Sequence, residues 1–301
     1  MASDILCIGS VLVDELYFSV EPLIQGTSNP ATLVRKPGGV ITNIARHLGL
    51  LGHHPELITV FGQDTDATWL KQIFANDGVA VHHSIVLDQP TGRYASFLQP
   101  DGELYAAVCT DTIESTLDRN RLTEILNERS APQWIIVDCN LSVDALNVLS
   151  EYAKETHARL VIEPVSVPKA KKIAAISSGK IFMITPNQDE WSIIEHRAAE
   201  IGSNLSIIDR VWISQGELGS VMKTASESMA VPSHSIQVVD STGAGDAMLA
   251  AWLHAILSGE DDMTAIQYAH TLALEVLQQQ GAVCEWVDAT KLYERKYNYY
   301  S

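Results

Sequence analysis

Three short segments of the chain, Trp134-Ile135-Ile136-Val137, Leu160-Val161-Ile162 and Ile181-Phe182-Met183-Ile184, carry no polar residue. A strand with one wet face alternates apolar and polar positions, so a strand without polar positions must be covered on both faces. Strands of that kind belong to parallel sheets, whose crossovers are made by helices. Helix-length amphipathic segments lie between these three, near Val143–Lys154 and Lys169–Ile176. The same rhythm opens the chain: Ile5-Leu6-Cys7-Ile8 reads as a buried strand ending at Gly9. A helix from about Val40 to Leu51 follows, with Ile41, Ile44, Ala45 and Leu48 on one face and Gly52 as its stop. Leu57-Ile58-Thr59-Val60-Phe61 predicts one further strand, and Asp64 caps a helix that carries Leu70, Ile73 and Phe74 and ends at Gly78. Two long helices, about Ala244–Leu257 and Met263–Gln279, close the pattern. The expectation is an α/β fold around a mainly parallel sheet.

Two segments depart from this rhythm. Residues 11–36 read as β structure or loop, with Leu12, Leu16 and Phe18 ahead of a Pro/Gly/Asn-rich connection. Residues 91–110 predict a hairpin, Tyr94–Leu98 and Glu103–Val108 about a turn at Pro100-Asp101-Gly102. Together they predict a small sheet projecting from the main body.

Composition narrows the partners. A formal net charge of −17 weighs against nucleic acid, whose recognition draws on clustered Lys and Arg. The one short basic run, Lys169-Ala170-Lys171-Lys172, reads as a solvated helix face. No run approaches the ~18 apolar residues of a membrane span. The four cysteines form no C-x-x-C pair, which fits a reduced, cytoplasmic setting. The ten histidines have no ligand spacing and read as surface residues.

The segment that carries chemistry is Asp240-Ser241-Thr242-Gly243-Ala244-Gly245-Asp246. Two glycines let backbone amides approach a ligand, and the helix that starts there adds the positive end of its dipole, which makes an anion site. An aspartate in the first turn has a plain explanation as a partner for that dipole. It also has a chemical one: beside a phosphoryl group held by the amides, it is placed to take a proton from an attacking hydroxyl. The chain has no G-x-x-x-x-G-K-[ST], and Gly9-Ser10-Val11-Leu12-Val13 does not make a G-x-G-x-x-G fingerprint.

Asp240 to Ala247 resembles the C-terminal signature of the ribokinase-like (PfkB) family, and four further segments match in order. Gly9 with Asp14 is similar to the family's opening strand, and Gly38-Gly39-Val40-Ile41-Thr42-Asn43-Ile44-Ala45 to its N-terminal signature. Pro186-Asn187-Gln188-Asp189-Glu190 resembles its Asn-x-x-Glu segment, and Ser214-Gln215-Gly216-Glu217-Leu218-Gly219 the loop before the nucleotide. The resemblance implies a three-layer α/β sandwich with a β-sheet lid, the core formed by residues 1–10, 37–90 and 111–301 and the lid by 11–36 and 91–110. It implies Asp246 as general base, with Gly243, Ala244 and Gly245 as the anion hole. Asp14, Gly39 and Asn43, with Asp246, would bind the acceptor. Asn187, Ser214, Gly216, Gly219 and Gly245 would bind ATP. Glu190 and Asn187 would support Mg²⁺ through water, and Asp240 and Thr242 a K⁺ ion. Thr91 and Arg93, at the start of the second lid segment, are explained by lid structure or by reach to the acceptor.

Several details resemble pseudouridine kinases more than ribokinase or fructokinase: Asp240-Ser241-Thr242, Glu163-Pro164-Val165-Ser166-Val167-Pro168-Lys169-Ala170, Asp138-Cys139-Asn140-Leu141, and Asp101 to Val108. The resemblance therefore implies phosphorylation of a nucleoside 5′-hydroxyl, with pseudouridine first. The alternatives are a free sugar such as ribose or fructose, or a non-catalytic sugar-binding homologue. Met248 departs from the aromatic residue common after the catalytic aspartate, and Ser214 from the usual threonine. A homodimer through the lid is the family's habit.

Overall fold

The computed structural model describes residues 3–300. Its main body is an eight-stranded sheet in the order Ser228–Val231, Ser220–Thr224, Ile208–Ser214, Ile181–Ile184, Arg159–Glu163, Trp134–Asp138, Ile5–Ile8, Glu56–Ile58. Six strands pair in parallel, and Ser220–Thr224 runs against them, pairing antiparallel with Ile208–Ser214 on one side and with the edge strand Ser228–Val231 on the other. The apolar runs are explained by two separate cores. Ile5, Cys7, Trp134 and Ile136 point to one, packed by the helices Val40–Leu50, Thr65–Asn76, Ala244–Leu257 and Asp262–Leu277. Leu6, Ile8, Ile135 and Val137 point to the other, beneath the helices between Ile113 and Ile201. Period-two alternation thus separates two oily faces instead of an oily and a wet one.

Trp252 anchors the Ala244–Leu257 helix to the sheet. Its ring is fully buried and meets Trp134 edge-on at 5.7 Å, with Trp212 and Phe182 at 6.2 and 6.3 Å. The helix that bears Asp246 is therefore fixed by aromatic packing two turns from its start.

A second sheet of four strands stands apart, ordered Ala31–Gly38, Leu12–Ser19, Arg93–Leu98, Leu104–Thr110. The expected hairpin is present, its turn closed by Gly102 N–H to Gln99 O at 2.9 Å and Gln99 N–H to Glu103 O at 2.8 Å. The hairpin joins the Leu12–Ser19 strand in parallel, with Asp14 opposite Tyr94 and Lys36 opposite Asp14 on the other side.

Three expectations need correction. The single strand Leu57–Phe61 is two: Glu56–Ile58 belongs to the large sheet, while Val60–Gly62 pairs with Ile85–Leu87. Thr59 makes the switch, its amide donating to Ser84 Oγ and its carbonyl accepting from Ile85 N–H. The histidines are not all at the surface: His47, His254 and His270 are buried. His47 Nε2 accepts the Cys284 amide at 3.0 Å, and burial pushes this imidazole down to about 3, so it packs as a neutral acceptor. Nor is Lys169–Lys172 only a solvated face. Lys172 Nζ bonds the Leu141 carbonyl at 2.8 Å and Glu114 at 2.7 Å, and Lys169 reaches Asn140. Their long stems carry the ammonium groups across the surface to fixed acceptors.

Among the described residues, no helix is long and apolar enough to cross a membrane.

Candidate active site

Parallel strands present their carboxyl ends along one edge, and in open α/β sheets that edge holds the ligand. Here it carries Asp138, Glu163, Thr185 and Ser214, each at or just beyond the end of a strand. Above them lies a cavity of about 630 Å³. Asp14, Gly39, Asn43, Asn187, Glu190, Ser214, Thr242, Gly243, Gly245 and Asp246 line it. A smaller cavity of about 220 Å³ shares Ser214, Ser241 and Gly245 with it, and adds Gly216, Gly219 and Ala244. Its remaining wall is mostly apolar, from Met248, Ala273, Leu274 and Leu277. Every residue expected at the site lines one cavity or the other, except Asp240.

Gly243 sits at φ 78, and a Cβ there would stand 2.5 Å from that of Ala282, so only glycine lets the chain turn into the helix at this point. Gly245 faces open space, leaving its backbone approachable. Asp246 follows in the first turn, 7 % exposed. Burial raises its carboxyl to about 7; the hydrogen bond from Asn43 opposes that shift and the nearby Asp138 charge adds to it. Asn43 Nδ2 donates to Asp246 Oδ2 at 2.7 Å. Asn43 is held there by the start of the Val40–Leu50 helix, where Gly39 has φ 101. The Asn43 Oδ1 atom is buried without a protein partner, an acceptor free for a ligand's hydroxyl. Asp14 lines the same cavity from the small sheet, its carboxyl raised to about 6 by burial and eased down by Lys36.

Asn187 and Glu190 form a complete capping box: Asn187 Oδ1 accepts the Glu190 amide and Glu190 Oε2 accepts the Asn187 amide, both at 2.9 Å. This fixes Glu190 and leaves its second oxygen for the cavity. Among the described residues no group of three metal-ligating side chains exists. Glu190 and Asn187 would suit a Mg²⁺ ion only through phosphates and water, since this cation keeps much of its hydration.

Asp240 is otherwise engaged. Its Oδ1 accepts the Thr242 amide at 2.9 Å and its Oδ2 the Gly281 amide at 3.0 Å. Burial pushes this carboxyl up, but those amides and Lys36 outweigh it and hold it below the usual range. Thr242 reaches the cavity and Asp240 does not.

Thr91 and Arg93 are structural. Thr91 is buried and bonded to Asp64 through both its amide and hydroxyl, at 2.7 Å each. Arg93 pairs with Asp66 at 2.6 Å and Glu15 at 3.4 Å.

The cavity also contains groups that sequence reasoning missed as site residues: Tyr94, Asp111, Asn140, Glu163, Val165 and Lys169. Glu163 is driven well above the ordinary carboxyl range by burial, then by the charges of Asp246 and Glu190. Its Oε2 accepts the Val165 amide at 2.7 Å, holding Val165 at φ 70, a conformation hostile to a β-branched residue. Lys169 projects from the helix Val167–Ala174 to Asn140. Asn140, Glu163, Val165 and Lys169 lie in two of the four segments likened to pseudouridine kinases, whereas Tyr94 and Asp111 lie in none of them, and no spacing rule assigned any of the six to the cavity.

Comparison with known proteins agrees with this geometry. The profile of the pfkB family of carbohydrate kinases matches residues 2–287. The chain is 26% identical over 276 residues to pseudouridine kinase of Escherichia coli (strain K12), covering 88% of this chain and 87% of that protein. It is 30% identical over 186 residues to pseudouridine kinase of Arabidopsis thaliana, covering 61% of this chain and 48% of that one. A carbohydrate kinase from Agrobacterium tumefaciens superposes with a TM-score of 0.83 at 23% identity, over 98% of this chain and 97% of the other, which fixes the fold as ribokinase-like. The chain belongs to the pfkB family of carbohydrate kinases and is a phosphotransferase with a hydroxyl acceptor.

Proposed function

We propose that this enzyme transfers the γ-phosphate of ATP to the 5′-hydroxyl of a nucleoside, with pseudouridine as the acceptor. The observation that carries the reading is a buried carboxylate, Asp246, hydrogen-bonded to Asn43 where an acceptor cavity meets an apolar one. The apolar cavity takes the adenine, with Gly216 and Gly219 beneath it. The amides from Gly243 to Gly245 receive the γ-phosphate oxygens as charge moves onto them. Asp14, Gly39 and Asn43 orient the acceptor sugar. Asp246 accepts the 5′-hydroxyl proton as the O5′–phosphorus bond forms and the bond to the β-phosphate oxygen breaks, so ADP leaves. Glu190 and Asn187 would support a Mg²⁺ ion bound with ATP, which would supply positive charge to the phosphates.

The nucleoside rather than a free sugar is favoured by polar groups beyond those a ribose needs. Asn140 with Lys169, and Tyr94 in the same cavity, offer hydrogen bonds and a ring face to a nucleobase. The small sheet serves as the lid that keeps water from ATP. Its outer face shows Leu33, Phe97 and Val108 to solvent, and a homodimer would cover them; sedimentation of a monomer at all concentrations would remove the dimer from this reading.

The test is ADP release with pseudouridine, uridine and ribose, and phosphorus NMR of the product. Pseudouridine turns over and Lys169→Met loses efficiency on nucleosides alone. Equal turnover of ribose by both proteins refutes the nucleoside assignment; no turnover with any of the three acceptors refutes the proposed reaction.

A further inference from the structure

The cavity is short of positive charge. Asp14, Asp111, Glu163, Glu190 and Asp246 line a site that must also hold a polyphosphate, and of its lining residues only Lys169 is a cation. Kinases of this fold commonly add a monovalent ion behind the anion hole; here each oxygen of Asp240 already accepts one amide hydrogen bond.

Lys36 lies beside that place. It sits on the strand Ala31–Gly38, directly across from Asp14. Its ammonium passes over Gly281 so closely that a Cβ on that residue would stand 2.9 Å from Nζ, and Gly281 is held at φ 100. Gly281 donates its amide to Asp240, and Ala282, next in the chain, packs under Gly243 at the mouth of the anion hole. The charge on Lys36 lowers the carboxyls of both Asp14 and Asp240.

We propose that the Lys36 ammonium does the work of a monovalent cation, fixing the Gly281–Ala282 loop behind the anion hole without a bound ion. A tethered ammonium supplies one positive charge next to Asp240, as K⁺ would, and needs no carbonyl cage. Lys36 is a positioning residue: it acts through Asp240 and the loop on Gly243, and takes no proton or phosphate. The inference rests on the phosphotransfer reading, but its melting measurement does not.

The experiment compares KCl with tetramethylammonium chloride at equal ionic strength, since the larger ion does not fit a cage of oxygens sized for K⁺. For the wild-type enzyme, kcat/KM and Tm are expected to be the same in both salts. Lys36→Met is expected to lose on the order of tenfold in kcat/KM in tetramethylammonium, to recover part of it in KCl, and to gain a K⁺-dependent rise in Tm. Lys36→Arg keeps the salt-independence of the wild type. Strong K⁺ activation of the wild type, or a K⁺-dependent rise in its Tm, overturns the proposal, and so does a Lys36→Met enzyme of full activity in tetramethylammonium. If Lys36→Met does not fold, the wild-type measurements decide alone.

Discussion

Every residue of the strand Trp134–Asp138 is buried, and no residue of Leu104–Thr110 is. The first strand is the middle of a three-layer body; the second is the rim of a small sheet with one face to solvent. Their difference separates two duties. The large sheet supplies most of the cohesion and carries the helix of Asp246 and Gly243, to which the proposed phosphate chemistry belongs. The small sheet supplies little cohesion and contributes Asp14 and Tyr94 to the acceptor's side of the cavity.

Substitutions can break this division. The largest effect belongs to Asp246→Asn, which should lower kcat on the order of a thousandfold. The same change should raise Tm at neutral pH. With its folded value raised to about 7, Asp246 binds its proton more tightly in the folded chain than in the unfolded one. That contribution is complete below the unfolded value near 4 and fades as pH climbs through about 7. Asparagine has no such loss, so the difference in Tm between the wild type and Asp246→Asn should shift in favour of the variant as pH climbs from about 4 to about 7, and a difference that does not change over that range would contradict the buried geometry. For the same reason wild-type kcat/KM should rise with pH through about 7, and a flat profile would remove Asp246 as the base.

Next comes Trp252→Ala, which should cost about 3–5 kcal/mol of stability in urea denaturation. Asp14→Asn, on the small sheet, should raise the acceptor KM by about tenfold with Tm almost unmoved. Smallest is Val108→Thr, at an exposed position, which should shift stability by less than about 0.5 kcal/mol. A large loss of stability at Val108 or Asp14 would erase the contrast between the sheets.

The contrast also explains what was legible in the sequence. Trp134–Val137 and Ile181–Ile184 announced themselves because burial on both faces leaves no polar residue. Asp64 was readable as a helix cap, and its side chain does accept the Ala67 amide at 2.8 Å. Asp240 to Asp246 was readable because its groups are consecutive. The remaining groups meet only when separate strands end side by side: Asp138, Glu163 and Lys169 are far apart in the chain, and no local pattern states that they converge. Lys169 looked like part of a charged helix face because its reach to Asn140 depends on the neighbouring strand. The split at Thr59 was hidden for a related reason, since an apolar run does not record where a chain leaves one sheet for another. His47 was misplaced because only the Cys284 amide, far along the chain, gives its ring nitrogen a reason to be inside.

Val165 has a cost that the rest of the molecule must carry. Forcing a branched side chain into the left-handed region takes about 1–3 kcal/mol, a sizeable part of the margin by which a protein of this kind stays folded. Glycine, whose codons differ from those of valine at a single base, would remove that burden at once. It would also surrender the stiffness that keeps the Glu163–Ser166 turn aimed into the cavity. Thermal robustness lies one mutation away here, and taking it would loosen the turn that faces the acceptor.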